Sequence, residues 1–167
     1  MSNRQLDPAD AARVRLATLA DEEEIMELCR CMHEETGLMP LSERKVREAI
    51  REALNNQGGI IGVIGPPRRI EGCIFLRITQ AWYSEVWHIE EFLSFVLPEY
   101  RKSGNAMHLI EFAKKCARDI INPETHKALT LFMGITSTER TEAKVRLYSR
   151  HFDKQCGALF RYEGAAA

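Results

Sequence analysis

The sequence predicts a single domain built on a mixed α/β sheet, and three observations carry that prediction. Short apolar bursts with strand character begin at Val14, Ile60, Ile70, Trp87, Leu129 and Ala158. Four stretches between them repeat apolar residues at helical spacing. The chain of 167 residues is long enough for one domain to bury its own core. The resulting order is strand, two helices, three strands, helix, strand, helix, strand.

Each element has a local reason. Residues before Arg13 are polar and Ala-rich without a pattern, so 1–12 reads as a flexible tail and 13–163 as the domain. Val14 and Leu16 alternate as a short strand. Asp21 to Glu24 place acidic groups where a helix N-terminus favours them, and Ile25, Leu28, Cys29 and Met32 then form one stripe, ended by Gly37 and Pro40. Ser42 can cap a second helix with Val46, Ala49, Ile50, Ala53 and Leu54 on its buried face.

Strands are expected at Ile60–Ile64 and Ile70–Ile78, joined through Gly65-Pro66-Pro67-Arg68-Arg69, and at Trp87–Leu97, stopped by Pro98. A long helix follows over Gly104–Ile121, facing Ala106, Leu109, Ile110, Ala113, Ala117 and Ile120 inward until Asn122-Pro123 breaks it. Leu129–Ile135 reads as a strand, Thr141–Phe152 as a helix and Ala158–Tyr162 as a last short strand.

Composition narrows the class. Hydrophobic residues are 45% and charged residues 28%, ordinary for a globular protein. The net charge of -1 gives no overall pull towards nucleic acid or an anionic membrane. No N-terminal apolar segment marks a secretory signal, and no apolar run is long enough to span a bilayer, so the cytoplasm is the expected compartment. Cys29, Cys31, Cys73, Cys116 and Cys156 show no metal-ligand spacing, so no metal site is expected. Their odd number and scatter suit a reducing environment.

The chemistry-bearing segment is the turn between the strand ending Val96-Leu97 and the helix opening at Gly104. A tight strand-to-helix turn leaves backbone N–H groups unpaired at the positive end of the helix dipole, an arrangement suited to a pyrophosphate. Gly104 permits close approach, Ala106 leaves room, and Arg101 and Lys102 add charge. Arg101-Lys102-Ser103-Gly104-Asn105-Ala106 resembles the Arg/Gln-x-x-Gly-x-Gly/Ala signature of the GCN5-related N-acetyltransferase family. Val96-Leu97-Pro98-Glu99-Tyr100-Arg101 is similar to that family's Val-x-Pro-Glu-Tyr-Arg lead-in, and the element order matches from Val14 to Tyr162.

The resemblance implies an acyl-CoA N-acyltransferase fold, a mostly antiparallel central sheet flanked by helices. It implies that acetyl-coenzyme A lays its pantetheine arm along the backbone of Phe95, Val96 and Leu97. The pyrophosphate would meet the N–H groups of Arg101, Lys102, Ser103, Gly104, Asn105 and Ala106, with Met107 beside them, and the N–H near Val96 would polarise the thioester carbonyl. Tyr148, in Lys144-Val145-Arg146-Leu147-Tyr148, matches the family tyrosine that protonates the departing thiolate; packing against the cofactor is its other reading. Thr141 stands where the family often has asparagine, and Gly157 is displaced from the family's Gly-Phe.

Some members of the family use a glutamate on the fourth strand to deprotonate the amine. Glu90, six residues before Val96, is the match, and Glu91 neighbours it on the opposite face of a regular strand, which brings only one of the two to the cleft. Glu90 is placed ahead of Glu91, an exposed carboxylate at the strand entrance being the other reading; His88 and His151 are alternative bases. Cys73, Cys116 and Cys156 lack a paired base, which speaks against a covalent intermediate. Trp82, Tyr83 and Trp87 could wall an acceptor pocket, with Glu34 or Glu35 drawing a cationic amine, or form a dimer surface.

The expected activity is direct transfer of acetyl to a primary amine in a ternary complex. The alternative is an inactive acyl-CoA-binding sensor or partner subunit. A homodimer stands as family analogy only.

Overall fold

The computed structural model describes residues 13–136 and 140–160. In chain order the elements are β1 (Val14–Leu16), α1 (Glu22–Thr36), α2 (Glu43–Leu54), β2 (Gly59–Ile64), β3 (Gly72–Gln80), β4 (Trp87–Val96), α3 (Asn105–Asp119), β5 (Thr130–Phe132) and α4 (Thr141–His151). They form one five-stranded sheet in the order β1-β2-β3-β4-β5. The first four strands run antiparallel to their neighbours, and only β5 lies parallel to β4.

Alternation along the strands builds a core on each face of the sheet. Ile61, Val63, Cys73 and Phe75 point to one face, where Ile25, Met26 and Leu28 of α1 and Ile50 and Ala53 of α2 cover them. Ile64, Ile74, Leu76 and Ile89 point to the other, against Leu109, Ala113 and Ala117 of α3. Burying each large aliphatic side chain contributes about 1.5–3 kcal/mol, so this sandwich is the main stabilising term. Gly62 on β2 faces α3 because a Cβ there would meet the Phe112 ring at 2.6 Å.

One irregularity reorients β4. Leu76 of β3 pairs with Glu91 and Phe75 pairs with Leu93, leaving Phe92 without a β3 partner. This β-bulge inverts the face assignment for everything after it. Ile89 before the bulge and Val96 after it both join the core under α3, although they are an odd number of residues apart.

β5 is shorter than the expected Leu129–Ile135. It pairs Thr130, Leu131 and Phe132 with His88, Ile89 and Glu90 only, so among the described residues Glu91–Val96 runs without a strand partner on that side. The sheet is therefore open along the second half of β4. The expected final strand Ala158–Tyr162 is absent over its described part: Ala158–Phe160 carry no strand structure, and Arg161 and Tyr162 lie outside the described residues. Leu159 and Phe160 are 71% and 90% exposed, so the segment's apolar side chains find no packing surface to hold an extended ladder. The expected tail over 1–12 also lies outside the described residues. Among the described residues, no helix is long and apolar enough to cross a membrane.

Candidate active site

The opening beside β4 has a polar end and, at its other end, the tight turn that leads into α3. At the turn, Pro98–Tyr100 form a short 3-10 segment and Gly104 caps α3 with φ 81°, a left-handed conformation that favours glycine. Tyr100, Arg101 and Ser103 donate their N–H groups to Leu97, Pro98 and Tyr100 carbonyls. Met107 and His108 donate theirs to the Gly104 carbonyl at 3.0 and 3.3 Å. The N–H groups of Lys102, Gly104, Asn105 and Ala106 meet no acceptor among the described residues. Of the expected donors, these four remain available, while those of Arg101, Ser103 and Met107 are engaged within the turn.

Two side chains shape this turn. Asn105 is only 2% exposed and donates from Nδ2 to Glu71 Oε2 at 2.9 Å, tying α3 to the start of β3. Arg101 turns inward: its Nε donates to the Val96 carbonyl at 3.0 Å, its Nη2 pairs with Glu35 of α1, and its guanidinium lies 5.3 Å from the Phe95 ring centroid.

Leu97 donates its N–H to the carbonyl of Glu71, the residue just before β3. Strand alternation then aims the N–H and carbonyl of Val96 away from β3, into the opening. Phe95 and Val96 are themselves buried, so only their backbone is offered there.

At the polar end, α4 brings Tyr148 to β4. The Tyr148 hydroxyl donates to Glu91 Oε2 at 3.3 Å, and the N–H of Gly134 donates to the same oxygen at 3.1 Å. Burial pushes the Glu91 carboxyl up to about 7, against the opposing hydrogen bonds from Gly134 and Tyr148. Burial and the Glu91 charge push the Tyr148 phenol well above its ordinary value. Lys144, one helical turn before Tyr148, lines the same pocket, with Met32 and Thr36 of α1 on its far wall. Burial lowers the Lys144 amine, and Glu35, Arg101, Arg140 and Glu91 all act on its charge.

The two strand glutamates part company. Glu90 pairs across the sheet with Arg77, and its Oε1 accepts from His88 Nε2 at 2.8 Å. The buried His88 ring stands edge-on to Phe132, with centroids 5.3 Å apart. Glu91 instead shares its face with Leu76, Ile89 and, beyond the bulge, Val96. Tyr148 and Glu91 are thus brought together, and Glu90 is not brought to Tyr148. His151 lies by Glu111 of α3, with Nδ1 3.6 Å from the carboxylate.

Cys73 is buried, and burial raises its thiol. Burial likewise pushes Cys116 up to about 11, opposite to the shift that makes a reactive thiolate. Trp82, 96% exposed, meets Tyr83 edge-on at 5.5 Å at the tip of the β3–β4 loop, while Trp87 is half-buried against the α3 core.

Lys144 and the Gly134 N–H were not singled out by sequence reasoning. The four-residue spacing of Lys144 and Tyr148 signals a shared helix face, whereas a backbone donor such as Gly134 leaves no sequence signal.

No protein-family model matches the sequence. No curated protein matches it either. Solved structures do. A probable acetyltransferase is 21% identical with a TM-score of 0.66, over 93% of this chain and 98% of that one. A possible acetyltransferase from Clostridium difficile 630 is 16% identical with a TM-score of 0.66, over 92% and 97%. An aminoglycoside antibiotic 6'-N-acetyltransferase from Acinetobacter haemolyticus is 15% identical with a TM-score of 0.62, over 92% and 99%. Over nearly its whole length, the chain has the mixed α/β fold of these acetyltransferases, a five-stranded sheet flanked by helices.

Proposed function

We propose that the protein transfers an acetyl group from acetyl-coenzyme A directly to a primary amine, in a ternary complex. The observation that carries this reading is the pairing of two features along one open strand. Four unengaged N–H groups surround Gly104 at one end, and the Tyr148–Glu91 pair stands at the other. The acetyltransferase names of structures with this fold support the same chemistry.

In this reading the donor's pyrophosphate rests on the N–H groups of Lys102, Gly104, Asn105 and Ala106, and its pantetheine arm follows Phe95, Val96 and Leu97. Glu91, rather than Glu90, is the base: a carboxyl near 7 is ionised often enough to accept a proton and basic enough to hold it. The amine nitrogen bonds to the thioester carbon as its proton passes to Glu91. The Val96 N–H stabilises the oxyanion. The C–S bond then breaks, Tyr148 gives its proton to the sulfur, and Glu91 returns one to Tyr148.

The hydrogen bond between these two groups makes the steps cooperate. The Glu91 charge holds the phenol's proton on, so neutralising Glu91 makes Tyr148 a stronger acid when the thiolate leaves.

The test is calorimetric titration with acetyl-coenzyme A, followed by release of coenzyme A with a panel of aminoglycosides, polyamines and lysine peptides. Micromolar binding with turnover is expected. Binding without turnover on a broad panel would favour the inactive sensor, and no binding would remove the cofactor assignment. Tyr148→Phe should slow transfer by about tenfold or more, with donor affinity little changed. Full activity in that variant would leave Tyr148 a packing residue.

A further inference from the structure

Arg101 stands where the acyl donor would have to be. Its Nε–H donates at 3.0 Å to the Val96 carbonyl, which faces the opening of the sheet. That carbonyl is the acceptor an amide of the pantetheine arm would use to pair with β4. The guanidinium is held there by two further contacts, the ion pair with Glu35 and the Phe95 ring. Both charged side chains of the ion pair are about one-fifth exposed, so it is sheltered by the protein rather than loose on the surface.

We infer that Arg101 is a placeholder for the donor and that Glu35 is a positioning residue that holds it on the Val96 carbonyl until the donor arrives. Donor binding then requires Arg101 to leave Val96 and Glu35. Its side chain belongs to the turn whose free N–H groups await the pyrophosphate, so the diphosphate is the anion that draws it away. Affinity is reduced by the work of undoing the resting contacts. One consequence lies on the opposite wall. Glu35 shares α1 with Met32 and Thr36, which line the pocket of Glu91 and Tyr148, and its charge acts on Lys144 of the same pocket. Releasing Arg101 therefore leaves a carboxylate beside the acceptor pocket only after the donor is in place. The inference rests on the acetyl-coenzyme A reading.

The experiment is a double-mutant cycle with coenzyme A as the calorimetric probe. Glu35→Gln should tighten coenzyme A binding roughly three- to tenfold, because the resting pair no longer competes. Glu35→Asp, which keeps the charge, should lie closer to wild type. In an Arg101→Met background the gain from Glu35→Gln should vanish. An equal gain in that background would mean simple repulsion between Glu35 and the ligand, and would overturn the placeholder role. Unchanged or weaker binding by a folded Glu35→Gln protein, checked by thermal melting, would overturn it as well. Failure of the wild-type protein to bind coenzyme A would instead remove the cofactor reading itself.

Discussion

Gly104→Glu is expected to abolish binding of acetyl-coenzyme A while leaving the protein folded. At φ 81° any side chain carries left-handed backbone strain of about 1–2 kcal/mol, a small part of a domain's stability. A Cβ at this position comes no nearer than 3.9 Å to another group, the His108 ring nitrogen, so there is room for the change. The new carboxylate would lie among the N–H groups of Lys102, Gly104, Asn105 and Ala106, where it takes their hydrogen bonds and repels a diphosphate. Losing those charge-assisted bonds should weaken binding by about a hundredfold or more. Gly104→Ala carries the strain without the charge and should lose far less. Wild-type affinity in Gly104→Glu would exclude this turn as the phosphate site.

Glu91→Gln should slow transfer by about 10²–10⁴-fold and, at the same time, stabilise the protein at alkaline pH. The rate loss follows if Glu91 is the base, as proposed. Wild-type kcat/KM should fall as pH drops through about 7, as the carboxylate takes up a proton, and the variant should lack that limb. The stability gain follows from the direction of the shift. Burial raises the folded-state carboxyl from 4.5 to about 7, so the folded protein binds the proton more tightly than the unfolded chain. The penalty is absent below about 4.5, grows as pH rises through this window, and is complete above about 7. Glutamine, always neutral, escapes it, so unfolding by urea at pH 8 should show a gain on the order of 2 kcal/mol that disappears near pH 4. An unchanged pH profile would move the base to another group, such as the Glu90–His88 pair. Equal stability at pH 8 would mean that the carboxylate is solvated in the folded state.

Much of this protein was determined by local sequence. Helical periodicity at Ile25–Met32 and Ala106–Ile120 located the helices that cover the two faces of the sheet. Glycine at 104, after a strand stopped by Pro98, located the turn that offers its N–H groups, because backbone freedom and helix dipoles are local properties. Tertiary structure decided the rest. A regular alternation puts Glu90, six residues before Val96, on the face of Val96, and only the bulge at Phe92 in the pairing with β3 puts Glu91 there instead, beside Tyr148. The inward turn of Arg101 depends on Glu35, a partner 66 residues away that no spacing rule connects to it. The opening beside β4 exists because β5 stops opposite Glu90, a limit set by pairing between strands far apart in the chain. Over Ala158–Phe160 the expected strand is absent for the same reason: alternation marks a segment that can be extended, but a strand forms only where a ladder and a packing surface receive it.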